Sequence, residues 1–192
     1  MSSNFPNRLP IAASIWVFLS GSFACALTPE QALLERTIVA PSPPTSDLDQ
    51  IYATAIRRAL VSNDLVTRPM VVALPRVVVA RDPSSIGPAS LPGGMGVAFL
   101  LLLPAEIREI ANWHGDFFYL RLELKAIKDG RALVWVEAIN SGGPGCMDIP
   151  DGFVAEIRRT SGTWKYARSG AQALLKEYGL ADPRVMFEKH WE

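Results

Sequence analysis

Five side chains in this sequence are of the types from which a nucleophile, a base and an orienting group can be assembled: Cys146, His114, Asp116, Asp148 and Asp151. A thiol attacks only as the thiolate, which needs a neighbouring base or cation, and His114 is the candidate base. None of the five stands in a recognisable catalytic motif. The plainer alternative makes Cys146 a small residue in a glycine-rich loop, with Asp148 and Asp151 as turn residues that bond their own backbone. His114 and His190 with those carboxylates also carry metal-ligand chemistry. No pair has ligand spacing on one helix or hairpin, so no metal and no cofactor is expected. A second group is aromatic: Trp135, Phe153, Trp164 and Tyr166 fall at strand spacing, and can either line a ligand pocket between sheet and helix or fill a core. The candidate binding residues are therefore Cys146, Asp148, Asp151, Trp135 and Trp164, and no catalytic residue is assigned.

The elements that must position these residues lie between Phe117 and Arg168, which reads as four consecutive antiparallel strands. Leu120, Leu122 and Leu124 alternate with Arg121, Glu123 and Lys125, the signature of a strand with one dry and one wet face. After a turn at Lys128-Asp129-Gly130, Ala132 to Ile139 is apolar on both faces except at Glu137, which predicts a central strand covered on both sides. A carboxylate there requires a partner such as Arg121 or Arg158. Phe153, Ala155 and Ile157 then alternate with Val154, Glu156 and Arg158. Ser161-Gly162 supplies a two-residue turn into a strand holding Trp164 and Tyr166. Between the second and third strands lies the Gly/Pro-rich loop Asn140 to Gly152, which contains Cys146 and is the first place to look for a site.

Upstream, Ser46 and Asp49 fit a capping pattern. Leu48, Ile51, Tyr52, Ala55, Ile56, Ala59 and Leu60 repeat at the spacing of one helical face, which predicts a helix lying on the sheet. Met70 to Leu74 and Val77 to Ala80 are β-branched runs separated by Pro75, which predicts an edge or bulged strand. Asp82 to Gly96 is a long loop whose Pro92-Gly93-Gly94-Met95-Gly96 lacks the spacing and the lysine of a phosphate cradle. Val97 to Leu103 predicts a buried strand, Pro104 to Asn112 a short helix, and Ser169 to Tyr178 a helix capped by Ser169 and stopped by Gly179.

Arg8 is the only charged side chain before Glu30, Ile11 to Leu19 is a short apolar run, and Ala24-Cys25-Ala26 has small residues where a signal peptidase reads. Residues 1–26 are therefore expected to be a secretory signal peptide, 27–45 a Pro/Ser-rich tether and 46–192 a single domain. A competing reading makes Cys25 the lipid-bearing first residue of a bacterial lipoprotein, the one route by which a membrane is expected to be involved. The whole chain of 192 residues carries no formal net charge. This balance argues against both nucleic acid and an anionic membrane surface as partners. Loss of Cys25 with the leader leaves Cys146 with no partner for an internal disulfide.

The helix from Ser46 to Leu60, the strand and LPAEIREIAN helix around Leu103, ALVWVEAI, the Gly-Cys loop and GFVAEIRRTSGTWKYAR together resemble a group of exported or lipid-anchored bacterial domains of unknown function. The likeness spans Asp47 to Arg168. It implies an exported α+β domain and supplies no activity; in that group the loop after the ALVWV-like strand often holds two cysteines, where this chain has Cys146 alone. The expected architecture is α+β, a mainly antiparallel sheet with an N-terminal helix packed on one face and short additional helices. The expected role is a non-enzymatic module, periplasmic or extracellular, that binds an envelope protein or a small ligand. The alternative is a small hydrolase or thiol-dependent enzyme using Cys146 and His114.

Overall fold

The computed structural model describes residues 38–72, 76–82, 84–142, 151–170 and 172–180. The signal-peptide reading, Cys25, Cys146, Asp148 and His190 all lie outside the described residues. In the C-terminal half the alternating pattern produces a four-stranded meander, β4 (Phe118–Lys128), β5 (Arg131–Asn140), β6 (Asp151–Thr160) and β7 (Thr163–Gly170). Two of its hairpins turn through left-handed residues: Asp129 and Gly130 have φ of 51° and 69°, Ser161 and Gly162 of 51° and 79°. Such paired positive φ values match the twist of the flanking strands, and glycine at the second position takes them at little cost.

The N-terminal half is built differently. A two-residue strand β1 (Ile38–Val39) precedes α1 (Asp47–Val61), the single turn α2 (Arg68–Val71), β2 (Arg76–Ala80), a 3₁₀ turn at Pro88–Ser90, β3 (Ala98–Leu102) and α3 (Pro104–His114). After β7 comes the short α4 (Gln172–Glu177). All seven strands form one sheet in the order β1-β3-β2-β4-β5-β6-β7. β2 runs parallel to both β3 and β4, while β1 and the meander strands pair antiparallel.

The fold is thus α+β, and its sheet is mixed rather than mainly antiparallel. The reason is β2. The Val77 to Ala80 run is not an edge strand broken by proline, because β2 begins at Arg76, after Pro75, and lies in the sheet interior with Val77 to Ala80 all buried. A strand covered on both faces reads as a continuous apolar run, as β2 does between its two parallel neighbours. Arg68-Pro69-Met70-Val71 is helical, with proline in a first turn that has no use for its N–H. Two further expectations are revised. Part of the 27–45 tether is docked, since Ile38 and Val39 pair with Leu100 and Phe99 and the Ser42 N–H donates to the Pro88 carbonyl at 3.0 Å. Ser169 lies within β7 rather than capping the last helix.

Helices cover both faces. On the front, α1 buries Ile51, Tyr52, Ala55, Ile56, Ala59 and Leu60 against Val77, Val79, Phe99, Leu120, Val134 and Val136. Each large aliphatic side chain so buried contributes roughly 1.5–3 kcal/mol. The N-cap is Ser46, whose hydroxyl accepts from the Asp49 N–H at 3.1 Å. On the rear, Ile107 and Ile110 of α3 close over Val78, Ala80, Leu100 and Leu102. Leu174 and Leu175 of α4 close over Leu133, Trp135 and Val154.

Candidate functional site

Asp151 opens β6 and reaches across to the corner between α1 and α2. Its carboxylate accepts from the Val66 N–H at 2.9 Å, from the Thr67 N–H at 2.6 Å and from the Thr67 hydroxyl at 2.5 Å. Backbone donors just ahead of a helical turn have no partner within the helix, so a carboxylate there satisfies groups that otherwise stay open. Asp151 therefore bonds a distant corner rather than its own turn. The corner it fixes carries apolar side chains in solvent: Val66 is 85 % exposed, Val61 60 % and Met70 49 %.

The two candidate tryptophans lie on opposite faces. Trp164 belongs to the front core under α1, where its backbone N–H donates to Gln50 Oε1 at 3.3 Å and its carbonyl accepts from the Thr54 hydroxyl at 3.4 Å. Its indole Nε1 is buried with no hydrogen-bond partner among the described residues. Trp135 belongs to the rear cluster under α4. It presses on Gly152, where a Cβ would stand 2.7 Å from Trp135 Cζ2 and 2.8 Å from the Val136 carbonyl oxygen. Only glycine allows that approach. No single pocket contains both indoles, and Trp135, Trp164 and Asp151 serve three separate places in the molecule.

The other candidate chemistry stands at the root of the loop that holds Cys146. His114 ends α3 and is exposed, and Asp116 follows on the way into β4. The Ser141 N–H donates to the Phe117 carbonyl at 2.9 Å, and the Ser141 hydroxyl accepts from the Phe117 N–H at 2.9 Å. Asp116 lies so close to Gly142 that a Cβ there would overlap its carboxylate. The turn bearing His114 and Asp116 is thereby joined to the start of the loop. Among the described residues no group of three or more His, Cys, Asp or Glu is placed to hold a metal ion, and no helix is long and apolar enough to cross a membrane.

Two buried carboxylates organise the rear face. Glu137 is paired in register with Arg121, whose Nη2 lies 2.9 Å from its Oε2, so the pairing required of this strand is made by Arg121 and not by Arg158. Arg158 instead serves Glu156. That carboxylate is fully buried and receives Arg158 Nε at 2.8 Å, Arg168 Nε at 2.5 Å and the Tyr178 hydroxyl at 3.4 Å, while Arg168 also holds Glu177 at 2.6 Å. Burial pushes the Glu156 carboxyl up, but the hydrogen bonds and charge of the two guanidiniums outweigh it and bring the group down to about 2. Sequence reasoning placed Glu156 on the face of Arg158 and missed its burial. The signal available was an acid that follows the apolar run Phe153-Val154-Ala155 and has Arg158 next to it on the same strand face.

Comparison of the chain with protein-family models, with curated proteins and with solved structures returns no match.

Proposed function

We propose that the protein is a non-enzymatic binding or interaction module of the cell envelope, and that it meets a protein partner through the corner between α1 and α2. The observation that carries this reading is the pinned apolar corner. Val61, Val66 and Met70 are exposed within one short stretch, and Asp151 holds the backbone of that stretch with three hydrogen bonds. Apolar side chains on a fixed backbone gain most when a partner removes them from water, since little conformational freedom remains to be lost on binding. The envelope address rests on the N-terminal sequence pattern of residues 1–26.

The test is a photo-crosslinking residue in place of Val66 in the producing cell. One discrete crosslinked protein is expected, and Met70→Asp should abolish it with the melting temperature unchanged. A purified protein that turns over a model ester or thioester, and loses that activity with Cys146→Ala, would overturn the reading in favour of a thiol-dependent hydrolase. The observation behind that second reading is the joining of the His114–Asp116 turn to the start of the Cys146 loop through Phe117, Ser141 and Gly142.

A further inference from the structure

The register of the meander lines up four cations, one from each strand. Lys128 of β4 stands opposite Arg131 of β5, Arg131 opposite Arg158 of β6, and Arg158 opposite Lys165 of β7. Directly opposed residues share a face, and Arg131 and Arg158 share theirs with Leu133 and Val154 of the rear cluster, so the row crosses the hairpin end of the rear face. At one interstrand spacing per step it is roughly 14 Å long. Arg158 shares the buried Glu156 carboxylate with Arg168, whereas Lys128, Arg131 and Lys165 enter no ion pair among the described residues. All three are exposed. Like charges set directly opposite one another cost stability, and the only acid between Ile127 and Arg131 is Asp129 in the turn.

We propose that this end of the sheet docks on the surface of an anionic phospholipid bilayer. A straight row on a hydrogen-bonded sheet presents its cations in a line across an open face, which suits a planar array of headgroups rather than a single enclosed anion. The adjoining Ile127, 51 % exposed at the same hairpin tip, is paired with Ala132 and faces the front of the sheet, so the cation row alone carries the proposal. A cluster of exposed cations is attracted to anionic lipid headgroups, whereas single-stranded nucleic acid is met by aromatic stacking platforms, and the row has no aromatic member. The balanced composition conceals this feature, because its members are scattered along the chain and only the strand register collects them. The docking surface is distinct from the Val61–Met70 corner and stands or falls separately from it.

Vesicle flotation of the full chain tests the proposal. The readout is the ratio of binding to vesicles of phosphatidylcholine with added phosphatidylglycerol over binding to phosphatidylcholine alone, so any contribution of the apolar N-terminus cancels. For the wild type this ratio should exceed one clearly at low salt and collapse at high salt. The triple variant Lys128→Gln, Arg131→Gln, Lys165→Gln should lower binding to the anionic vesicles on the order of 100-fold. A control triple with the same loss of charge, Arg57→Gln, Arg81→Gln, Arg108→Gln, should leave it unchanged. The row variant should melt at or above the wild-type temperature, since repulsion has been removed, and this separates lost docking from lost folding. Equal effects of the two triples, or no preference of the wild type for anionic vesicles, would overturn the proposal. So would retention of single-stranded DNA without vesicle binding, which would assign the row to nucleic acid.

Discussion

Glu156 sets the acid limb of this protein's stability. Its folded-state carboxyl, at about 2, lies below the ordinary glutamate value near 4.3. The sign follows from linkage: the stabilisation is complete above the unfolded value and is lost as the pH falls through the folded one, in a window from about 4.3 down to 2. Glu156→Gln should cost about 2 kcal/mol at neutral pH, as expected for lost hydrogen bonds to a charged group, and should flatten urea midpoints across that window. A variant that keeps the full wild-type acid limb would refute this role. Some acid dependence will remain, because Asp49 is also held at about 2; burial pushes it up, and bonds from Ser90, Thr45 and Ser46 outweigh that. At this scale the sequence was partly legible. Glu137 needed a cation, and alternation offered Arg121 and Arg158. What alternation does not show is the register, which sets Glu137 opposite Gly152 and Arg158 opposite Arg131, so that Arg158 joins Arg168 on Glu156 instead.

Elements with strong local signals were legible almost to the residue. Ser46 with Asp49 and a three-four apolar repeat announced α1, and the structure begins it at Asp47 and ends it at Val61. The two glycine-bearing turns of the meander were equally plain. β2 was not, because a short β-branched run carries no mark that separates an edge strand from a buried interior one; its neighbours decide that, and they come later in the chain. The role of Asp151 was hidden for a similar reason, since an aspartate beside a glycine loop resembles a turn residue until the distant corner it bonds is known. Asp151→Ala should cost about 1–2 kcal/mol, the usual penalty for removing a side chain that satisfies open helical N–H groups. It should also speed amide exchange at Val66 and Thr67 more than anywhere in the meander. Unchanged exchange at those two amides would show that the carboxylate does not hold the corner.

Across the whole molecule, protection should follow coverage by helices on both faces. Ala132 to Ala138 of β5 are buried without a break, between the front core under α1 and the rear cluster under α4. Their amides should exchange only through global unfolding, while Ile38 and Val39 should open locally and far faster. Comparable protection at β1 and β5 would mean that the edge strand is bound more firmly than two residues of pairing allow. The candidate site was the least legible part, because a binding surface depends on which side chains distant strands bring together. Trp135 and Trp164 have the same type and spacing, yet lie on opposite sides of the sheet.

The position of β2 also bears on how the chain reaches its native state. β2 sits between two strands that leave the ribosome after it, so neither of its ladders can form when it first emerges, and closing the second must wait until α3 has carried the chain over to β4. The meander can zip hairpin by hairpin; the first half of the sheet is assembled out of order, with Val77 to Ala80 unsheltered in the interval. A nascent chain of this design therefore depends on its own later residues, or on a chaperone, to keep that segment from aggregating.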